Sequence, residues 1–250
     1  MIDYYDEYNA KAWGHKSILN YFDKNRMTTK DIYQSELLFL KQNLHNDMSV
    51  LDIGCAKGGF AGILSEHIKN FTYVGVDINQ QMINEAKIRY PQHTFYKVLE
   101  SDYTILGNQR FDLVLCLGIL HLHENWRDTL STAWSHTKNN LLIDLRETHL
   151  SSIENKNISY FKMDFDDPSN STSDYILPYN IINVAEAQQI IFNTCTDANK
   201  VMHYGYTHPI SEFAVSPIKN VMANVYCIEK CQMPTEARKI KDENIRRGSS

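Results

Sequence analysis

Apolar and polar positions follow two rhythms along this chain. Residues 8–22 and 30–44 carry apolar side chains at helical spacing; in the second run Ile32, Leu37, Leu38, Leu40 and Leu44 share one face, and Asp31 stands at its start. After residue 48 the rhythm changes to short, nearly continuous apolar runs at 49–54, 72–78, 94–98, 111–118 and 140–145. Between them lie helix-like segments at 58–70, 79–90 (ended by Pro91) and 124–136. Strands alternating with helices at these spacings predict βαβ units and a parallel sheet, and continuous apolar strands predict helices on both sheet faces. Right-handed crossovers then make the sheet doubly wound, with ligands expected at the carboxyl ends of the strands.

Residues 146–180 are long and polar, broken by the apolar ISYFKMDF, and a stretch of that length inside a compact domain predicts an insert or lid. A helix at 184–193 and strands at 200–206 and 221–229 are expected to follow. The organisation read from this is an N-terminal helical cap (1–46), a Rossmann-like domain (47–232, with 146–182 as insert) and a tail (233–250) ending in Gly248, Ser249 and Ser250.

Composition narrows the partners. With 43% hydrophobic residues, 22% charged residues and a net charge of −5, the 250-residue chain reads as an ordinary globular protein. A nucleic-acid backbone calls for a basic stripe, and the only basic cluster is Arg238, Lys239, Lys241, Arg246 and Arg247 in the tail, so no nucleic-acid partner is expected. The apolar run 113–120 is too short to cross a bilayer, and the acidic, aromatic first residues do not read as a signal peptide; a cytoplasmic protein, monomer or homodimer, is expected. The five cysteines are scattered and read as reduced thiols. Cys227 and Cys231 lack a second pair at zinc-ligand spacing, so no metal is expected.

The chemistry concentrates in Asp52-Ile53-Gly54-Cys55-Ala56-Lys57-Gly58-Gly59-Phe60, a glycine turn between the first strand and the next helix. Glycines there allow a tight turn and close approach of backbone to ligand. Gly54, Ala56 and Gly59 nearly satisfy G-x-G-x-x-G, and Asp77 lies at the distance of a ribose-binding acid, so a dinucleotide is one reading. Asp52 at the end of the strand would be unwelcome beside a pyrophosphate, whereas it can order the turn or face an ammonium group. Ala56 in place of the central glycine obstructs a pyrophosphate more than a slim aminocarboxypropyl chain.

In order along the chain, VLDIGCAKGGF, YVGVDIN, FDLVLCLGILHLHENW and LLIDL resemble the motif series of class I S-adenosylmethionine-dependent methyltransferases, over roughly residues 48–146. The resemblance implies a seven-stranded, mostly parallel sheet with one antiparallel strand, and S-adenosylmethionine as cofactor. It implies that Asp77 accepts hydrogen bonds from both ribose hydroxyls; a helix cap for residue 79 onward is the other reading. Asp102, with Glu100 as its rival, would meet the adenine amino group, and Ile78, Met82 and Tyr103 would flank the ring. Gly54, Cys55, Ala56, Gly58 and Leu117 would line the rest of the cofactor site. The segment after the fourth strand would pass beside the reactive methyl group, where His121 and His123 are candidate bases. N-terminal aromatics (Tyr4, Tyr5, Tyr8, Trp13) would supply acceptor contacts or simply pack. His203, His208 and His149 are further acceptor-side candidates. Arg146, beside Glu147 at the end of the fifth strand, would hold an anionic substrate or form an ion pair.

The expected activity is methyl transfer to a small molecule, at a hydroxyl oxygen. Many nucleobase and glutamine N-methylating enzymes carry an Asn or Asp-Pro-Pro-aromatic run where this chain has Leu117-Gly118-Ile119-Leu120, which disfavours that chemistry. N-methylation of another small molecule and a non-catalytic cofactor-binding protein are alternatives. A nicotinamide oxidoreductase would want Tyr-x-x-x-Lys after the fifth strand, and Tyr160 is followed four residues later by Asp164.

Overall fold

The computed structural model describes residues 4–99, 102–166 and 175–232, with side chains from Glu7 onward. The expected tail (233–250) and Glu100 lie outside the described residues, as do the side chains of Tyr4 and Tyr5.

The first helical run is two helices. α1 (Tyr4–Trp13) and α2 (Lys16–Lys24) part at Gly14, whose Cα presses on Asn79: an added Cβ would stand 3.0 Å from the Asn79 amide nitrogen. The second run is shorter than its periodicity predicts: a single 3₁₀ turn (Thr29–Asp31) precedes α3 (Gln34–Asn43). Its inward face also differs from the expected one. Leu38 is 42% exposed while Glu36 is fully buried, because Arg26 supplies Glu36 with a charged partner that the apolar pattern does not encode.

β1 (Met48–Ile53), α4 (Gly59–Ser65), β2 (Phe71–Asp77), α5 (Gln80–Arg89), β3 (Thr94–Lys97), β4 (Phe111–Cys116), α6 (Trp126–Ser135) and β5 (Thr137–Thr148) realise the alternating pattern. β6 (Tyr160–Lys162), β7 (Ile176–Pro178), β8 (Ile182–Asn183), α7 (Val184–Thr194), β9 (Ala198–Pro209), β10 (Ala214–Val215) and β11 (Asn220–Lys230) complete the described chain. The main sheet runs β3-β2-β1-β4-β5-β11-β9, with two-residue β8 added beside the end of β5. β11 is antiparallel to both neighbours and every other pairing along this path is parallel, so the mostly parallel, seven-stranded, doubly wound sheet is as expected.

Apolar residues on alternate strand positions bury into two layers. Leu51, Ile53, Val114 and Ile143 pack with Trp126, Leu130 and Ile191 on one face; Val50, Leu115 and Leu142 pack with Phe39, Phe60, Ile63 and Ile83 on the other. The stretch after β5 is more ordered than its polarity implied. β6 and β7 form a three-stranded antiparallel sheet with β10, contributed by the β9–β11 connection. That small sheet shares a third apolar cluster with the cap and the glycine turn, in which Ala12, Ile18, Ala56, Met82, Phe161 and Leu177 meet.

Candidate functional site

The strand order reverses between β1 and β4, and there the carboxyl ends of the strands open a crevice. Register makes it specific: Ile53 pairs with Val76, so the turn after β1 and Asp77 at the end of β2 emerge side by side. The N–H groups of Gly54 and Cys55 both donate to the Val76 carbonyl, at 2.9 and 3.0 Å. Gly54 has φ +79°, and an added Cβ would meet Ile119 at 2.7 Å, so only glycine lets the segment after β4 lie this close. Gly59 answers a second approach, since its Cβ would stand 2.0 Å from the Arg26 carbonyl oxygen.

A cavity of about 230 Å³ lies over this turn, with a smaller chamber of about 30 Å³ beside it. Trp13, Gly54, Asp77 and Ile119 border both. The small chamber is a mainly apolar slot between Ile53, Val76, Ile78, Val98 and Tyr103, with His123 at its edge. The main cavity is walled by Cys55, Ala56, Met82, Leu117 and Gly118 below, and by cap and small-sheet aromatics above.

Asp77 joins the two. Its Oδ2 accepts from Ala56 N–H at 2.9 Å and its Oδ1 from Asn79 N–H at 2.8 Å. Both readings of this residue thus meet in one geometry: the carboxylate braces the turn while facing both chambers, and Asn79 itself caps α5 by accepting from Met82 N–H. The bond to Ala56 also holds a non-glycine residue at φ +46°. Burial pushes Asp77 up to about 6, opposed by the Asn79 and Ala56 amides.

These bonds test which cofactor fits. The N–H groups of Gly54, Cys55, Ala56 and Gly58 are all spent on acceptors of the chain itself. A pyrophosphate needs free amides converging on it, and these four offer none. An acceptor-only carboxylate beside an apolar slot, with cations elsewhere in the wall of the main cavity, suits a ribose, a purine and an amino-acid carboxylate respectively.

Arg26 is one such cation, and sequence reasoning missed it. It lines the main cavity at φ +59°, forks onto Glu36 (2.9 Å) and stands 5.3 Å over the Phe60 ring. It sits in a polar run without periodicity, so no sequence signal singles it out. The aromatic wall residues Phe161 and Phe165 had a signal in the apolar interruption of the polar insert; Tyr21, Tyr33, Tyr179 and Phe213 had none.

The two histidines part company. His121 lines the main cavity, its Nδ1 buried and without a hydrogen-bond partner, its ring edge-on to Tyr179 at 5.7 Å. His123 lies on the small chamber, with Nδ1 3.4 Å from the Thr129 hydroxyl. Burial lowers both, His121 to about 3 with help from Arg146, His123 to about 4. Arg146 also lines the main cavity and donates to Asp144 Oδ2 at 2.7 Å, while Asp144 Oδ1 accepts from Gly118 N–H at 2.5 Å. Burial works to raise Asp144, yet the Arg146 charge and these bonds hold it below the usual carboxylate range.

Other expected residues lie elsewhere. Asp52 is buried behind the turn, taking the Tyr73 hydroxyl at 2.5 Å; burial lifts it to about 7 against the pull of Tyr73 and Arg26. It faces neither chamber, because its side chain lies on the sheet face that it shares with Val50 and Tyr73. Asp102 is exposed and closes a local turn on Thr104 (2.9 and 2.6 Å), and it does not line the small chamber. Tyr8 fastens α1 to β7 through Ile176, donating to its carbonyl at 3.1 Å and accepting from its N–H at 3.0 Å, and does not line the cavity. His203 stacks on Tyr226 (5.5 Å), whose hydroxyl donates to buried Glu147 at 2.5 Å; this group stands outside the cavity. His149 is exposed there too, whereas His208 does line the cavity. Among the described residues no three His, Cys, Asp or Glu side chains cluster to hold a metal ion, and no helix is long and apolar enough to cross a membrane.

Comparison with known proteins agrees with this geometry. Residues 51–143 match the family model described as a methyltransferase domain. Among curated proteins, "Putative methyltransferase 235L" of Invertebrate iridescent virus 6 is 29% identical over 129 residues, 49% of this chain and 48% of that one. The chain thus spans about half the length of the curated relative it matches. Among solved structures, the N-terminal domain of EvdMO1 with SAH bound superposes with TM-score 0.56 at 12% identity, covering 78% of this chain and 79% of that one. An S-adenosylmethionine-dependent methyltransferase from Clostridium acetobutylicum gives 0.51 at 13% identity, covering 81% and 94%. At such identities these likenesses speak for the fold.

Proposed function

We propose that the protein transfers a methyl group from S-adenosylmethionine to a small-molecule acceptor, at a hydroxyl oxygen. The observation that carries this reading is the closed glycine turn: four of its amides are bonded within the chain while Asp77 opens onto both chambers. That arrangement favours a nucleoside without a pyrophosphate.

When bound, S-adenosylmethionine supplies an electrophilic methyl on a sulfonium, with a thioether as leaving group. Asp77 accepts the two ribose hydroxyls, using lone pairs left over from Ala56 and Asn79. Ile53, Ile78, Val98 and Tyr103 enclose the adenine. Arg26 holds the amino-acid carboxylate by a charge-assisted bond, with the donors that its Glu36 pair leaves over. Leu117 and Gly118 form the wall beside the methyl, and Trp13 and the small sheet keep water out. Alignment of this kind is worth roughly 7–11 kcal/mol of a displacement barrier. His121 accepts the hydrogen bond of the acceptor hydroxyl. It is unprotonated above about pH 3, so it is available at every physiological pH, but burial also makes it a weak base. Its first duty is therefore orientation of the oxygen lone pair; as the methyl arrives the oxygen becomes far more acidic than an imidazolium, so His121 then takes the hydroxyl proton and passes it to solvent.

Thermal unfolding with S-adenosylmethionine, S-adenosylhomocysteine, NAD and NADP in parallel tests the cofactor. A ligand at a hundred times its Kd adds about 2.7 kcal/mol. The expected result is a raised midpoint with the two adenosyl-sulfur compounds alone; a shift with a nicotinamide cofactor alone overturns the reading.

A further inference from the structure

The charges around the main cavity are arranged asymmetrically. Lys57, Arg26 and Arg146 all border it. Their carboxylate partners do not: Lys57 pairs with Asp23 and Glu85, Arg26 with Glu36, and Arg146 with Asp144, and none of these four acids is in the cavity wall. Cations face inward and anions stand behind them. Asp77 is the one carboxylate lining the cavity among the described residues.

The three cations are not equivalent. Lys57 bridges two acids, and both terminal nitrogens of Arg26 point at Glu36 (3.4 and 2.9 Å) beside the glycine turn. Arg146 gives Asp144 one bond, from one terminal nitrogen, and a second to the Tyr179 hydroxyl, which leaves further donors of its five; that acid divides itself between Arg146 and Gly118 N–H. A guanidinium has five N–H donors in a planar fork suited to oxyanions. Arg146 also stands on the far strand from the ribose acid, at the end of β5, beside the unpartnered Nδ1 of His121.

The cavity wall also carries flat apolar faces, on β6 and just beyond the ends of the small sheet's strands. Phe165 and Phe213 stack at 4.5 Å with 19° between their planes, and Phe161 abuts both, at 5.9 and 6.1 Å. Aromatic walls exclude water and lower the local dielectric, which strengthens the attraction between a guanidinium and an anion.

We infer that the acceptor side of this cavity takes a flat, apolar molecule carrying an oxyanion, the anion on Arg146 and the flat body against Phe161, Phe165 and Phe213. Calling this the acceptor side rests on the methyl-transfer reading. The arginine is a specificity residue, distinct from the group that meets the reacting oxygen, and a carboxylate or a phosphate meets its fork equally well.

Isothermal titration of the full chain saturated with S-adenosylhomocysteine tests this with 2-naphthoate, 2-naphthyl phosphate, 2-naphthamide and acetate. Either anionic naphthyl ligand is expected to bind at least tenfold more tightly than the amide, and which of the two binds better tells carboxylate from phosphate. Acetate, without the flat body, is expected to show no binding. The paired change Asp144→Asn with Arg146→Gln removes both charges at near-constant volume, so no buried charge is left alone. It is expected to erase the preference for anions while S-adenosylhomocysteine affinity stays within twofold. Phe213→Leu is expected to weaken the naphthyl ligands together. The inference is overturned if the amide binds as tightly as the anions, if no naphthyl ligand binds, or if the preference survives in the paired variant. Should S-adenosylhomocysteine itself fail to bind, the methyl-transfer reading falls, and the anion-versus-amide comparison on the ligand-free protein still decides the oxyanion pocket.

Discussion

The two halves of the cavity are built on different principles. The half around Gly54 and Asp77 comes mostly from one βαβ unit, residues 52–82, and its geometry is set by backbone: register, positive-φ turns and amides spent on Val76 and Asp77. The half around Arg146 and His121 collects side chains from the cap, the ends of β4 and β5, the small sheet and the β9–β11 connection. One half is fixed by main-chain hydrogen bonds that a substitution rarely removes. The other is held by ring contacts and ion pairs, each open to replacement. A conserved chemistry can be kept by the first while the second is free to select the molecule acted on.

That contrast can be broken experimentally. The largest effect should come from Asp77→Asn, which removes a charged acceptor from the first half. A hydrogen bond to a charged group contributes about 1.5–3 kcal/mol, so S-adenosylhomocysteine affinity by calorimetry should fall roughly 10- to 100-fold; unchanged affinity would remove Asp77 from the ribose. The wild-type protein should mimic this on acidification. Burial places the native carboxyl at about 6, so below that pH it becomes a proton carrier and affinity should decline.

Next in size is Gly59→Ala, where the new Cβ meets the Arg26 carbonyl oxygen at 2.0 Å and the cap must move. Overpacking of this kind costs about 1–3 kcal/mol, readable by urea denaturation. If cap and turn are one unit, cofactor affinity should fall with stability; a stability loss with full affinity would separate them. His121→Ala lies in the second half and should lower turnover by about tenfold, the size of a single orienting hydrogen bond. S-adenosylhomocysteine binding should stay intact, and joint loss of both would merge the halves.

A separate effect, on stability and not on binding, concerns Asp52. Its native value near 7 exceeds the usual 3.8, so the folded protein holds the extra proton between these limits and stability falls as pH rises through that window. Asp52→Asn removes this slope, and the variant should gain more over wild type at pH 8 than at pH 5. His121 and His123 slope the opposite way, buried neutral and favouring the fold as pH rises to about 6.5, but they act equally in both proteins and cancel in the difference.

The same division explains what could be read along the chain. Gly54, Gly58 and Asp77 stand at fixed offsets from apolar strands, and the sheet places them together without further information. Arg146 and Trp13 were also legible as neighbours of strand ends or of the cap. Arg26 was not, because its place depends on the close approach allowed by Gly59, more than thirty positions later. Asp102 was misplaced because a spacing argument does not register that Thr104 offers its carboxylate two local donors. His203 failed through strand register, which sends it to Tyr226 and Glu147 instead of the cavity.

The clasp between Tyr8 and Ile176 joins groups 168 positions apart. On a ribosome the first helix emerges long before its seat exists, since β7 and the small sheet are made after the central parallel strands. The entropy of closing so long a loop grows only as the logarithm of its length, so the final docking costs little more than a shorter one would. Until then α1 lacks the surface it packs on, while the bonds of the glycine turn, all made within residues 54–77, need no later segment. During synthesis, therefore, the glycine turn beside Asp77 is made early, and the small sheet that walls the cavity above it arrives last.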